Sequence, residues 1–90
     1  MLVLPAELTQ RQANACLAML LQGLRAKTQG EVVADASALA HFDSSALAVL
    51  LACRRESLAA GKTFAVKGLP PKLRQLAGLY GVDSLIAEAA

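Results

Sequence analysis

Ninety residues with a formal net charge of +2 bound the chain to one domain with a modest core. Lys and Arg are spread along the sequence and aromatic residues are only 3% of it, which excludes a nucleic-acid footprint and a platform for stacking on bases or sugars. The hydrophobic fraction is 56%, most of the excess being Ala and Leu, a composition for helices packed closely on a sheet.

Leu2, Val3 and Leu4, then Leu8, predict a short strand interrupted at Pro5. Proline has no N–H for a central ladder, so this segment belongs at an edge or a strand terminus. Thr9 and Gln12 have capping-box spacing. Behind them Ala13, Cys16, Leu17, Leu20, Leu21 and Leu24 recur at helical intervals and predict an amphipathic helix ending near Lys27, before Gly30. Val32-Val33-Ala34 is a short apolar run suited to a buried strand, closed by Asp35. Residues Ala36 to Phe42 are expected to form a connecting loop. Asp43, Ser44 and Ser45 are helix-start residues, and the second helix is expected to run to about Ala60 and stop at Gly61.

Lys62 to Lys67, with Phe64 and Val66 on one parity, predicts another strand. Pro70 and Pro71 suit the first turn of a third helix, where no N–H is required, and Leu73, Leu76, Ala77 and Tyr80 continue it. Val82 to Ile86 fits either a last short strand or the lead into a final helix near Asp83. Strands alternating with helices imply parallel strands joined by crossovers. The expected fold is therefore α/β, residues 1–90 forming one small, mostly parallel sheet with helices packed on it.

Cys16 and Cys53 lie in helical patterns among Leu and Ala and read as reduced core residues of a cytoplasmic protein. The apolar run Leu17 to Leu24 is broken by Gln22 and is too short to span a bilayer. Any membrane role is expected to come through a partner, without direct insertion.

The second helix carries the most information. From Ala46 to Cys53 it is apolar on every face, becoming amphipathic only at Arg54-Arg55-Glu56. Such a helix needs cover on both sides. The sheet supplies one side; the third helix or a partner protein supplies the other. At its start, Ser44 and Ser45 stand where the helix dipole favours an anion, so a phosphate there would be tolerated by the helix and would set negative charge beside the apolar surface. The plainer reading is that Asp43 and the serines cap the helix.

Phe42-Asp43-Ser44-Ser45-Ala46-Leu47-Ala48-Val49-Leu50-Leu51 resembles the signature that opens the second helix of STAS domains. Val32-Val33-Ala34-Asp35 resembles that family's central strand, and Leu76-Ala77-Gly78-Leu79-Tyr80-Gly81-Val82 resembles the C-terminal helix of its MlaB-like branch, accessory subunits of the Mla phospholipid transport system. The likeness spans roughly residues 30 to 86. It implies the STAS fold and a subunit that binds the cytoplasmic ATPase of an inner-membrane phospholipid ABC transporter, peripheral to that membrane through its complex and serving outer-membrane lipid asymmetry. By the same resemblance the functional hydroxyl falls on Ser44 in the transporter subunits and on Ser45 in anti-sigma-factor antagonists. The alternative partner is an anti-sigma-factor kinase that phosphorylates Ser45. The partner-contact residues expected are Asp43, Ala46, Leu47, Leu51 and Tyr80, beside the two serines.

Two departures stand out. Only Leu2 to Leu8 precedes the first helix, with Pro5-Ala6-Glu7-Leu8 where the family has a Gly-Glu-Leu-like segment, so the sheet edge is expected to be reduced. Ala46 replaces the commoner Gly.

Catalysis is not expected. His41 is the only histidine, and Asp43, Ser44 and Ser45 are consecutive, so their side chains diverge instead of forming a relay. No Gly-x-Ser-x-Gly elbow or Gly-rich phosphate loop occurs. No catalytic residue, cofactor or metal ligand is assigned.

Overall fold

A computed structural model of the chain describes residues 1–26 and 30–89. The elements are β1 (Leu2–Val3), β2 (Glu7–Leu8), α1 (Ala13–Ala26), β3 (Glu31–Asp35), β4 (His41–Phe42), α2 (Ser45–Ala59), β5 (Thr63–Lys67), α3 (Pro71–Leu79) and a 3₁₀ turn (Asp83–Leu85). The expected end of the first helix, Lys27, lies outside the described residues.

The main sheet has the order β1-β3-β5, with every pair parallel. The register aligns Leu2 with Ala34 and Ala34 with Val66, and sets Val32 beside Phe64. Val32, Ala34, Phe64 and Val66 are buried, whereas Glu31, Thr63 and Lys67 on the opposite parity are exposed. The period of two along each strand thus gives one packed face and one open face. On the open face Asp35 aligns with Lys67.

The packed face is covered by α1 and α2. Helix α1 turns Cys16, Leu20 and Leu24 inward. It passes so close over β1 that a Cβ on Gly23 would stand 2.6 Å from Leu2 Cδ2. Half of the expected capping box forms: Gln12 Oε1 accepts from the Thr9 N–H (2.9 Å) and hydroxyl (2.7 Å). Helix α2 packs against α1 on one side and β5 on the other. It ends in a Schellman turn, Lys62 N–H to Ser57 C=O (2.9 Å) and Gly61 N–H to Leu58 C=O (3.0 Å), with Gly61 at φ +76°.

One expectation is corrected and one is narrowed. His41–Phe42 is not loop: it forms β4, parallel to β2, with Glu7 beside His41 and Leu8 beside Phe42. The pair holds Leu8 at 0% exposure, so Pro5 divides two strands of different sheets. Of the two alternatives for Val82 to Ile86, the strand is not formed; a helical turn does begin at Asp83, but as one 3₁₀ turn ending at Leu85, and the last strand-like contact falls later, where Glu88 bridges Val66 in parallel. Among the described residues no helix is long and apolar enough to cross a membrane.

Candidate partner-binding site

Of the three helix-start residues, Asp43 does the capping. Its Oδ1 accepts from the Ser45 N–H (2.8 Å), and its carbonyl accepts from the Ala46 N–H (3.1 Å). The other carboxylate oxygen, Oδ2, accepts from the Gln10 N–H (3.1 Å), in the turn that leads into α1. One exposed side chain therefore ties the starts of α1 and α2 together. These backbone donors, Gln10 first and Ser45 second, favour the ionised form and hold the Asp43 carboxyl below its ordinary pKa, with the Ser45 hydroxyl adding a smaller effect.

Ser44 takes no part in this. Its backbone is helical (φ −62°, ψ −18°), and its hydroxyl makes no capping bond among the described residues. It is exposed, one residue before the first turn of α2. Its C=O accepts from Leu47 and Ala48 N–H groups, so its backbone is fixed while its hydroxyl stays available. Ser45 is half-buried.

The apolar residues of the expected contact surface are redistributed. Ala46 (0%) and Leu47 (3%) are buried in the core with Val49 and Leu50. Helix α2 packs against both α1 and β5, so this part of its apolar surface is covered within the chain. Assigning Ala46 and Leu47 to a partner surface is thereby corrected. Ala46, where the family more often has Gly, fits its small side chain fully into the core. Leu51 is half-buried against the core, and Ala48 is the exposed residue between.

Tyr80 stands on a different element. It is the C-cap of α3, 61% exposed, next to Leu79 at 84% and followed across the turn by Leu85 at 39%. Gly81 at φ +71° closes a second Schellman turn that presents this apolar group, with Val82 N–H bonded to Ala77 C=O (2.9 Å). Sequence periodicity placed Tyr80 on the helix stripe, but the helix has ended one residue earlier and its ring faces outward. Leu79 is its most exposed neighbour, and one isolated Leu carries no signal of exposure in sequence.

His41 is exposed and its Nε2 lies 4.0 Å from Glu7 Oε2, a neighbour across the β2–β4 pair. It faces that surface carboxylate, not a serine. A groove of about 260 Å³, lined by Leu21, Leu24, Arg25, Glu56 and Lys62, opens at the C-terminal ends of α1 and α2. It sits at the opposite end of the 15-residue α2 from Asp43, on the order of 20 Å away at 1.5 Å per residue.

The arrangement offers a surface for recognition: a helix start with a fixed backbone, an exposed hydroxyl beside a fixed carboxylate, and apolar side chains presented elsewhere. Comparison with curated proteins gives no match. The family model described as "Mlab, STAS domain" matches residues 1–87. Parallel strands, crossover helices and the Asp43-led start of α2 agree with that match over nearly the whole chain, and the chain belongs to the STAS domain family.

Proposed function

We propose that this chain is a non-catalytic STAS subunit that binds the cytoplasmic ATPase of an inner-membrane phospholipid ABC transporter, at the exposed start of α2. The family match, whose description carries the Mlab name, supports the transporter branch. The observation that carries the choice of site is the exposed Ser44 hydroxyl, held on a fixed backbone next to the ionised Asp43. Such a group adds specificity at an interface without a backbone ordering cost, because its backbone is already fixed. Leu51 and the outward Tyr80 are the remaining expected contacts; Ala46 and Leu47 act behind the surface by shaping α2. The protein would reach the membrane only through this complex.

The alternative reading, an anti-sigma-factor antagonist switched by phosphorylation of Ser45, has less support. Ser45 is half-buried and its N–H is bound by Asp43, so a phosphate there would stand against a carboxylate of the same sign.

Co-purification with the cognate transporter ATPase tests the proposal. Wild-type protein is expected to carry the ATPase along, and Ser44→Arg to lose it while remaining folded. Retention of the ATPase by folded Ser44→Arg would misplace the site; failure of wild-type protein to associate would reject the transporter reading. Phosphate found on Ser45 after incubation with a serine kinase and ATP would favour the alternative.

A further inference from the structure

β5 is an edge strand, and residues 87–89 cover part of its outer edge. In parallel pairing, alternate residues turn both backbone groups to the same neighbour. Thr63 donates to Gly30 C=O (2.8 Å) and Lys67 accepts from Ala36 N–H (2.7 Å), so the odd residues of β5 face inward. Phe64 and Val66 therefore turn their backbone groups outward. Val66 is covered: its N–H donates to Ala87 C=O (2.8 Å), and its C=O accepts from Ala89 N–H (2.9 Å). That single bridge is the only strand-like pairing on this edge among the described residues.

The segment that makes the bridge is held chiefly from another element. Arg74, on α3, donates from Nη1 to the carbonyls of Asp83 (3.1 Å) and Ile86 (3.0 Å), and from Nη2 to Glu88 Oε1 (3.1 Å). Ile86 plugs the core at 2% exposure, but Ala87 and Glu88 are exposed. One guanidinium thus fixes both ends of a short strap through its planar fork.

The uncovered edge would be self-complementary. A second copy related by a two-fold axis would pair antiparallel about Ala65, with Phe64 opposite Val66 twice and Lys67 opposite Thr63. No like charges meet, and the small Ala65 side chains face each other. Phe64 and Val66 already point their side chains into the core, so the pairing uses only backbone groups. We infer that the C-terminal segment is a strap, latched by Arg74, that masks the β5 edge against pairing with a second copy of this chain. Exposed edges are templates for such pairing, and covering them is a known means of control. This inference concerns a different face from the α2 start and does not depend on the transporter reading.

The test uses the full chain with Arg74→Ala and Arg74→Lys, read by light scattering over a concentration series and by amide exchange. In wild-type protein Val66 N–H is expected to be protected and the mass to be that of one chain. In Arg74→Ala at low concentration, Val66 exchange is expected to rise by roughly tenfold or more, the scale of losing hydrogen bonds to a charged group. At high concentration the mass is expected to double and the Phe64 amide to slow. Arg74→Lys, keeping the charge without the fork, falls between. Unchanged Val66 exchange in Arg74→Ala would overturn the latch, and a one-chain mass at every concentration despite a released strap would overturn the self-pairing. Should Arg74→Ala fail to fold, Glu88→Ala carries the same test with the same two overturning results, because it removes one exposed carboxylate and no buried group.

Discussion

Gln10 donates its backbone N–H to Asp43 across a sequence separation of 33 residues, at 3.1 Å. The same carboxylate caps α2 through Ser45. The aspartate of the family's signature is thus also a clamp between the turn before α1 and the start of α2.

That clamp gives a pH prediction. Asp43 and Asp35 are both held below the ordinary carboxylate range, Asp43 by the Gln10 and Ser45 N–H groups and Asp35 chiefly by Ser37. A carboxyl depressed in the folded state contributes stability that is present above its unfolded pKa and is lost as pH falls through the folded value. Melting temperature is therefore expected to be flat near neutrality and to fall below about pH 4, the unfolded carboxylate range. Asp43→Asn is expected to lower the melting temperature at pH 7 and to flatten the acid slope. An unchanged slope in thermal melts across pH would remove Asp43 as a contributor.

Core substitutions separate the buried from the exposed part of the signature. Leu50 is fully buried, so Leu50→Ala is expected to cost about 2–5 kcal/mol by chemical denaturation. Leu47→Asp is expected to prevent folding, because it places an unpaired charge in the buried core. Loss of partner binding by that variant would report unfolding, not a contact. Ala48→Asp, on the exposed side of α2, is expected to leave stability within about 0.5 kcal/mol.

Two glycines make a paired test of strain against crowding. Gly68 has φ +68°, and a Cβ there would strike the Ser37 side chain and come within 3.1 Å of Ser37 Cα. Gly81 has φ +71° with nothing within 4 Å of the added atom. Gly81→Ala is expected to cost about 1–2 kcal/mol from the left-handed backbone alone. Gly68→Ala is expected to cost clearly more in the same urea titration.

The cysteines are expected to be unreactive in the native state. Burial pushes the Cys53 thiol up to about 11 and raises that of Cys16, so both are protonated at neutral pH. Labelling with a maleimide is expected to be slow in native protein and rapid in denaturant. Fast native labelling at either site would show that the α1–α2 layer opens readily.

Much of this fold is legible in the sequence because its signals are local. The stripe from Ala13 to Leu24, the short run Val32 to Ala34 and the alternation Phe64, Val66 each state their own period. The Asp43-led start of α2 is legible in the same way. Other features depend on distant partners. β4 has two residues and exists only through pairing with β2. The burial of Leu47 and Ala46 depends on how α1 and β5 pack around α2; an all-apolar helix shows that cover is needed, not what supplies it. Arg74 carries no signal either, because two of its three acceptors are backbone carbonyls.

The most direct measurement is the affinity of the cognate transporter ATPase for purified wild-type chain and for Ser44→Arg, with Leu58→Ala as a control at the far, exposed end of α2. The account predicts that wild-type and Leu58→Ala bind alike and that Ser44→Arg weakens binding by roughly tenfold or more, the equivalent of about 1.4 kcal/mol. Equal binding by folded Ser44→Arg, or no binding by wild-type protein, would contradict it.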